Sequence, residues 1–190
     1  MGDHHGRTMQ GSHPPHPHLS RNNSLRTWTH DAKPYLIPKG ITQANLSRLE
    51  MVAACFHDAA YIYLHSTLER ISQQQQQQQQ PPLPSSWAAL VHLPKTEAVH
   101  RFLNRVKSVP LLASHCEYSA LTFPLFIAGC ESDIAAERAI VMLSLDRLQE
   151  NYGIGNVQRA KELLVTLWRR SRRQHWMDAL DRLQWELMLV

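Results

Sequence analysis

The sequence predicts an all-α fold, an irregular multi-helix bundle around one buried central helix, with a disordered N-terminal tail and a poly-Gln/Pro loop. Three observations carry this. From Thr42 onward, apolar residues recur at three- and four-residue steps in one stretch after another, the signature of amphipathic helices. No segment sustains an apolar/polar alternation rich in β-branched residues, so no sheet is expected. The most apolar run, Leu121-Thr122-Phe123-Pro124-Leu125-Phe126-Ile127-Ala128-Gly129-Cys130-Glu131, is apolar around its whole circumference. On a helical period Leu121, Leu125 and Ala128 share one face, and Phe123, Phe126 and Ile127 share the other. A helix apolar on all sides must be surrounded by other helices.

Residues 1–40 are rich in His, Pro, Ser, Asn and Gly, and the piece Ser12-His13-Pro14-Pro15-His16-Pro17-His18 has too many prolines for a helix or a central strand. This region is expected to be a disordered tail, followed by a helical domain over 41–190. Leu46, Leu49, Ala53, Phe56, Ala60, Tyr63 and Ile71 predict a long helix over about 42–72. Val52, Tyr61, Ile62, Leu64 and Leu68 widen its stripe, so it packs against more than one neighbour. The eight-glutamine run at 73–80 either frays this helix or continues it, and Pro81, Pro82 and Pro84 end it. Residues 73–86 thus read as an inserted Gln/Pro-rich loop, which costs little because closure entropy grows slowly with length.

Thr96 is expected to cap the next helix, with Val99, Phe102, Leu103 and Val106 inward and Pro110 beyond its end. Ser114 and Glu117 have capping-box spacing and predict the start of the central helix, which runs to about Gly129. Pro124 falls inside it and predicts a kink, because it removes the hydrogen bond to the Ala120 carbonyl. Ser132 or Asp133 is expected to cap the following helix. There Val141, Leu145, Leu148 and Tyr152 form one stripe, Ala136, Ile140 and Leu143 a second, and Gly153 and Gly155 mark the end. Asn156 is read as the cap of a helix with Val157, Ala160, Leu164 and Leu167 inward. A last helix places Trp176, Leu180, Leu183 and Leu187 on one side, with Asp178 four residues before Arg182 on the other.

Composition excludes several classes. No apolar run approaches the roughly 18 residues of a membrane span, and the N-terminus has no apolar signal region. The three cysteines, Cys55, Cys116 and Cys130, each sit in a helical apolar pattern, which favours reduced, buried thiols. The formal net charge is only +4, so a general polyanion-binding surface is not demanded.

The candidates for chemistry are few. His57-Asp58 resembles half of a metal-phosphohydrolase dipeptide but lacks the further ligands a metal needs. His4, His5, His13, His16 and His18 lie in the low-complexity tail, where no scaffold would hold ligands at set distances. Gly153-Ile154-Gly155 follows a helix and has no third glycine or lysine, so it reads as a helix–helix turn instead of a phosphate loop. The cysteines have no Cys-x-x-Cys spacing for zinc. Asp146 and Glu150, one turn apart beside Arg147, read as a solvated face. No nucleophile elbow is present. No cofactor or metal is called for, and no enzyme is expected. The one dense basic cluster follows Trp168: Arg169, Arg170, Arg172 and Arg173. It reads as solvated arginines near a helix C-terminus or as a nuclear localisation signal.

The run from Leu121 to Glu131 resembles the "L/W-P-L-F-I-A-G-C-E" helix of the fungal-specific transcription factor domain, the regulatory region of zinc binuclear cluster transcription factors. Three further pieces resemble that family in the right order. Ala59-Ala60-Tyr61-Ile62-Tyr63-Leu64-His65 is similar to its "A-L-I-Y-L-H" helix. Trp168-Arg169-Arg170 is similar to its "V-W-x-R-R" segment. Trp176-Met177-Asp178, continuing to Trp185-Glu186-Leu187-Met188-Leu189, is similar to its final helix. The resemblance covers residues 45–190. It marks Tyr61, Leu64, Phe123, Pro124, Leu125, Phe126, Gly129, Trp168, Trp176 and Trp185 as family-motif or core positions.

The resemblance implies a non-enzymatic, nuclear regulatory region acting through helix packing, dimerisation, or binding of a protein partner or small-molecule effector. It corresponds to the C-terminal part of that region, and this sequence carries no six-cysteine cluster. Sequence-specific DNA binding by this chain alone is therefore not expected, and exposed apolar surface is expected where further helices would pack. The alternative is an independent helical interaction module that uses the glutamine run and the basic cluster.

Overall fold

The structure, a computed structural model, describes residues 40–84, 87, 93–169 and 175–182. Its elements are α1 (Gln43–Gln77), α2 (Lys95–Lys107), a 3-10 helix (Cys116–Leu121), α3 (Thr122–Cys130), α4 (Ala135–Tyr152), α5 (Gly155–Arg169) and α6 (Trp176–Arg182). Among the described residues there is no strand, and the fold is all-α as the periodicity requires. The His/Pro-rich tail lies outside the described residues up to Lys39, as do Leu183, Trp185 and Leu187 of the last predicted helix.

α3 is the axis of the bundle, and α1, α4 and α5 pack directly on it. Leu125, Phe126, Ile127, Ala128 and Gly129 are all buried, so both faces of this helix meet protein. α1 crosses the body along α2, α3 and the 3-10 helix and buries Cys55, Ala59, Tyr61, Ile62 and Leu68 there, while Leu49, Phe56, Ala60 and Tyr63 of the predicted stripe are exposed. Val99, Phe102, Leu103 and Val106 of α2 are buried, as are Val141, Leu145 and Leu148 of α4 and Val157, Ala160, Leu163 and Leu164 of α5. Each large aliphatic or aromatic side chain so buried contributes about 1.5–3 kcal/mol.

The central segment differs from its predicted form. Ser114 is exposed and caps nothing; His115 precedes the 3-10 helix and makes no side-chain cap bond. The α-helix starts only at Thr122, which puts Pro124 in its first turn. There the missing N–H has no intrahelical acceptor to lose, and the ring cannot tolerate an α-helical Ala120 carbonyl behind it. The proline therefore sets the switch from 3-10 to α winding, where an interior kink was expected. Glu117, freed from capping, pairs with Arg48 at 3.3 Å.

Other boundaries move in the same way. α1 runs five residues into the glutamines, to Gln77, because glutamine is a fair helix former and nothing before Pro81 forbids it. Its start is as read: the Thr42 hydroxyl accepts the Asn45 N–H at 3.2 Å. Pro94, not Thr96, precedes α2, which places Thr96 inside the first turn. Ile134, not Ser132 or Asp133, holds the position before α4, and the Ser132 hydroxyl donates to the Ala128 carbonyl at 2.8 Å. α5 begins at Gly155, one residue before Asn156.

Gly153 ends α4 in the left-handed conformation (φ 62°), and its N–H reaches the Gln149 carbonyl at 2.9 Å. The second stripe of α4 is not a core face. Ala136 is exposed and Leu143 is 53% exposed. Cys55 is buried and Cys130 half-buried, but Cys116 is exposed at the start of the 3-10 helix, so only two of the three thiols sit in the interior.

Candidate functional site

Gly129, Trp168 and Trp176, three of the positions singled out by the resemblance, meet at the C-terminal end of α3. The last carbonyls of a helix lack intrahelical donors, and here side chains supply them. The Trp168 indole N–H of α5 donates to the Gly129 carbonyl at 2.9 Å, while the Arg138 guanidinium lies 5.2 Å above the same indole. Gly129 also permits the close approach of its neighbours. A Cβ built there would stand 2.8 and 2.9 Å from the Leu164 methyl carbons and 3.1 Å from Val141 Cγ1.

Glu131 follows immediately and forms a buried polar hub. Its side chain is 9% exposed. One carboxylate oxygen accepts the Trp176 indole N–H of α6 at 2.6 Å and the Ser66 hydroxyl of α1; the other accepts Lys95 of α2 at 2.7 Å. Burial alone would push the Glu131 carboxyl up. Lys95, aided by Ser66 and Trp176, outweighs burial and holds it below the ordinary carboxylate value. Lys95 mirrors this. Burial would lower it, but Glu131 and Glu69, the latter at 2.5 Å, raise it above the ordinary lysine value. One carboxylate thus ties α1, α2, α3 and α6 together.

The motif on α1 faces the same region. The Tyr61 hydroxyl accepts the Leu93 N–H at 2.7 Å, and His65 Nε2 meets the Leu93 carbonyl at 2.7 Å, so one turn of α1 holds both backbone polar groups of Leu93. Tyr63 and Phe126 approach the Trp176 ring edge-on at 6.2 and 6.4 Å. Leu64 is half-buried. Arg70 extends the α1 to α6 contact through Asp178 at 2.7 Å and Asp181 at 2.5 Å. Asp178 therefore pairs across helices; the Arg182 side chain, its expected partner, lies outside the described side chains.

Phe123 stands apart from the hub. It is half-buried, stacks on Phe56 at 6.4 Å, and lines an open groove of about 640 Å³ with Cys116, Tyr152 and Ile154 among its walls. Phe56 and Leu49 are 38% and 37% exposed, so an apolar surface continues from this groove along α1. Of the basic cluster, Arg169 is exposed; Arg170, Arg172 and Arg173 lie outside the described residues, as does Trp185.

The His57-Asp58 pair has a structural environment. Asp58 is 1% exposed and pairs with Arg101 at 2.6 Å and Arg105 at 3.3 Å on α2. Among the described residues no group of three His, Cys, Asp or Glu side chains could hold a metal. Asp146 pairs with Lys161 at 2.5 Å on the surface. Sequence reasoning missed Ser66, Lys95 and the role of Glu131. The only signal was the invitation in Gly-Cys-Glu to ask what a carboxylate does at the end of an apolar helix.

Residues 19–190 match the fungal specific transcription factor domain. This chain belongs to that family. The match starts earlier than residue 45, where the resemblance of the motifs begins, and takes in part of the stretch read as a tail. No curated protein and no solved structure matches the chain. Membership makes this fungal-specific transcription factor domain part of transcriptional regulation. In its described residues no helix is long and apolar enough to cross a membrane.

Proposed function

We propose that this chain is a non-enzymatic regulatory region working in the nucleus through contacts with protein, or with a small effector, and binding no DNA sequence on its own. The observation that carries the reading is the family match over residues 19–190. The geometry supports it: Tyr61, Phe126, Gly129, Trp168 and Trp176 are spent on holding helices together, and the surface left open beside Phe123 is apolar. The groove beside Phe123, continuous with Phe56 and Leu49, is the surface we assign to a partner, a second copy or an effector. The cluster Arg169, Arg170, Arg172 and Arg173 is assigned to nuclear import. Residues 1–40 serve as a tail and 41–190 as the regulatory domain, in which the Gln/Pro segment is a passive loop.

A footprinting titration of the purified chain on mixed DNA fragments tests the reading, with light scattering on the same sample. The expected result is no sequence-specific protection, together with self-association or capture of a partner that is weakened by Phe56→Asp. A salt-resistant, sequence-specific footprint would overturn it. Deleting 73–84 separates the interaction-module alternative, which requires partner binding to be lost.

A further inference from the structure

One imidazole stands at the start of α6. His175 immediately precedes Trp176, and its carbonyl accepts the Ala179 N–H at 3.2 Å, the first hydrogen bond of the helix. Its ring nitrogen Nδ1 faces the Met177 N–H at 3.3 Å and accepts from it. His175 therefore plays the part that Ser, Asp or Asn usually takes at a helix start. An imidazole can accept at Nδ1 only while neutral, with its proton on Nε2. Here Nε2 is buried with no hydrogen-bond partner among the described residues, and the ring stacks on Trp176 with centroids 5.8 Å apart and planes 26° apart. Trp176 in turn is the anchor of α6 to Glu131, Tyr63 and Phe126.

We propose that His175 is an acid-released cap: neutral, it fastens α6 to the bundle, and its protonation lets α6 go. A proton on Nδ1 turns the acceptor into a donor aimed at another donor. It also sets a positive charge at the positive end of the helix dipole and in a half-buried position. The charged groups facing the ring are Glu131 at the end of α3, Asp178 in α6, Lys95 in α2 and Glu69 in α1. The three carboxylates favour the imidazolium and Lys95 opposes it, but Glu131 and Glu69 are already engaged by Lys95, and Asp178 by Arg70. The Trp176 face attracts a cation weakly. Burial outweighs these and holds the His175 pKa below its ordinary value. The sign follows: seating is complete above about pH 6.5, the ordinary histidine value, and is lost as pH falls through the lowered one. Release uncovers Tyr63 and Phe126 together with the buried faces of Met177 and Ala179.

Amide hydrogen exchange of the full chain, corrected for intrinsic rates, tests this. Between about pH 7.5 and about pH 5.5 the protection of residues 177–182 should fall by about fivefold, the worth of one helix cap. Protection in α4 should stay constant, and His175→Asn, a cap without a titration, should hold α6 closed at both pH values. Unchanged α6 protection, an equal loss in every helix, or the same loss in His175→Asn would overturn the proposal. If His175→Asn does not fold, the imidazole proton resonance of wild-type His175 decides. A midpoint below about 6.5 that coincides with α6 opening supports the cap, and a midpoint at or above it refutes it.

Discussion

Gly129→Ala isolates the packing argument at the heart of the bundle. Gly129 sits in α3, where alanine would ordinarily favour the helix by about 0.5–1 kcal/mol. The added Cβ, however, would stand 2.8 Å and 2.9 Å from both ends of Leu164 and 3.1 Å from Val141. Leu164 and Val141 are fully buried, so neither side chain can swing into solvent. Overpacking of this kind costs about 1–3 kcal/mol. The close approach should win, and the net change should be a destabilisation of about 1–2 kcal/mol, or about 2–8 °C in Tm. Urea denaturation at constant slope measures it. A double-mutant cycle sharpens it. Leu164→Ala alone should cost about 2–5 kcal/mol, and adding Gly129→Ala to it should cost little more, since the methyl groups that clash are gone. A neutral or stabilising Gly129→Ala, or strictly additive costs, would refute the reasoning.

Three further outcomes are expected. Glu131→Gln should destabilise by about 2–4 kcal/mol, because it leaves Lys95 half-buried beside Glu69 alone and weakens the hold on Trp176. Because the Glu131 carboxyl is held below its ordinary value, its contribution is present above about pH 4.5 and lost as pH falls through the lowered value, so the variant's acid-denaturation curve should be flatter there. Asp58→Asn should cost about 1–2 kcal/mol by losing the charge-assisted hydrogen bonds to Arg101 and Arg105, which solvent still reaches, an effect read in the same urea titration. Iodoacetamide followed by peptide mass spectrometry should label Cys116 first. Burial pushes the Cys55 thiol up to about 12 and the Cys130 thiol well above its ordinary value; labelling at Cys55 as fast as at Cys116 would contradict the packing.

The helices were legible because their apolar period is a local property, and the burial of α3 followed from the lack of any polar face. What the sequence hid lies at element ends and between elements. Thr96, Ser114, Ser132, Asp133 and Asn156 all have capping chemistry, yet none holds the cap position expected of it. Pro94, the 3-10 turn before Pro124, and Gly155 decide the starts instead. The hub has the same cause. Ser66, Lys95, Glu131 and Trp176 come from four elements, and nothing in their spacing along the chain signals that they meet. The resemblance singled out Gly129, Trp168 and Trp176, and the geometry gives each a physical task. His57-Asp58 is the converse case: a dipeptide with chemical associations whose carboxylate holds two arginines of a packed helix.

The family match over residues 19–190 makes transcriptional regulation by the folded helical body the property to test. The most direct test tethers the chain to an unrelated DNA-binding domain and measures a reporter in a fungal cell. The expected result is a change in transcription relative to the DNA-binding domain alone, abolished by the core-breaking Leu125→Asp at equal protein level. A reporter indifferent to the tethered chain, or one that responds equally to the unfolded variant, would contradict it.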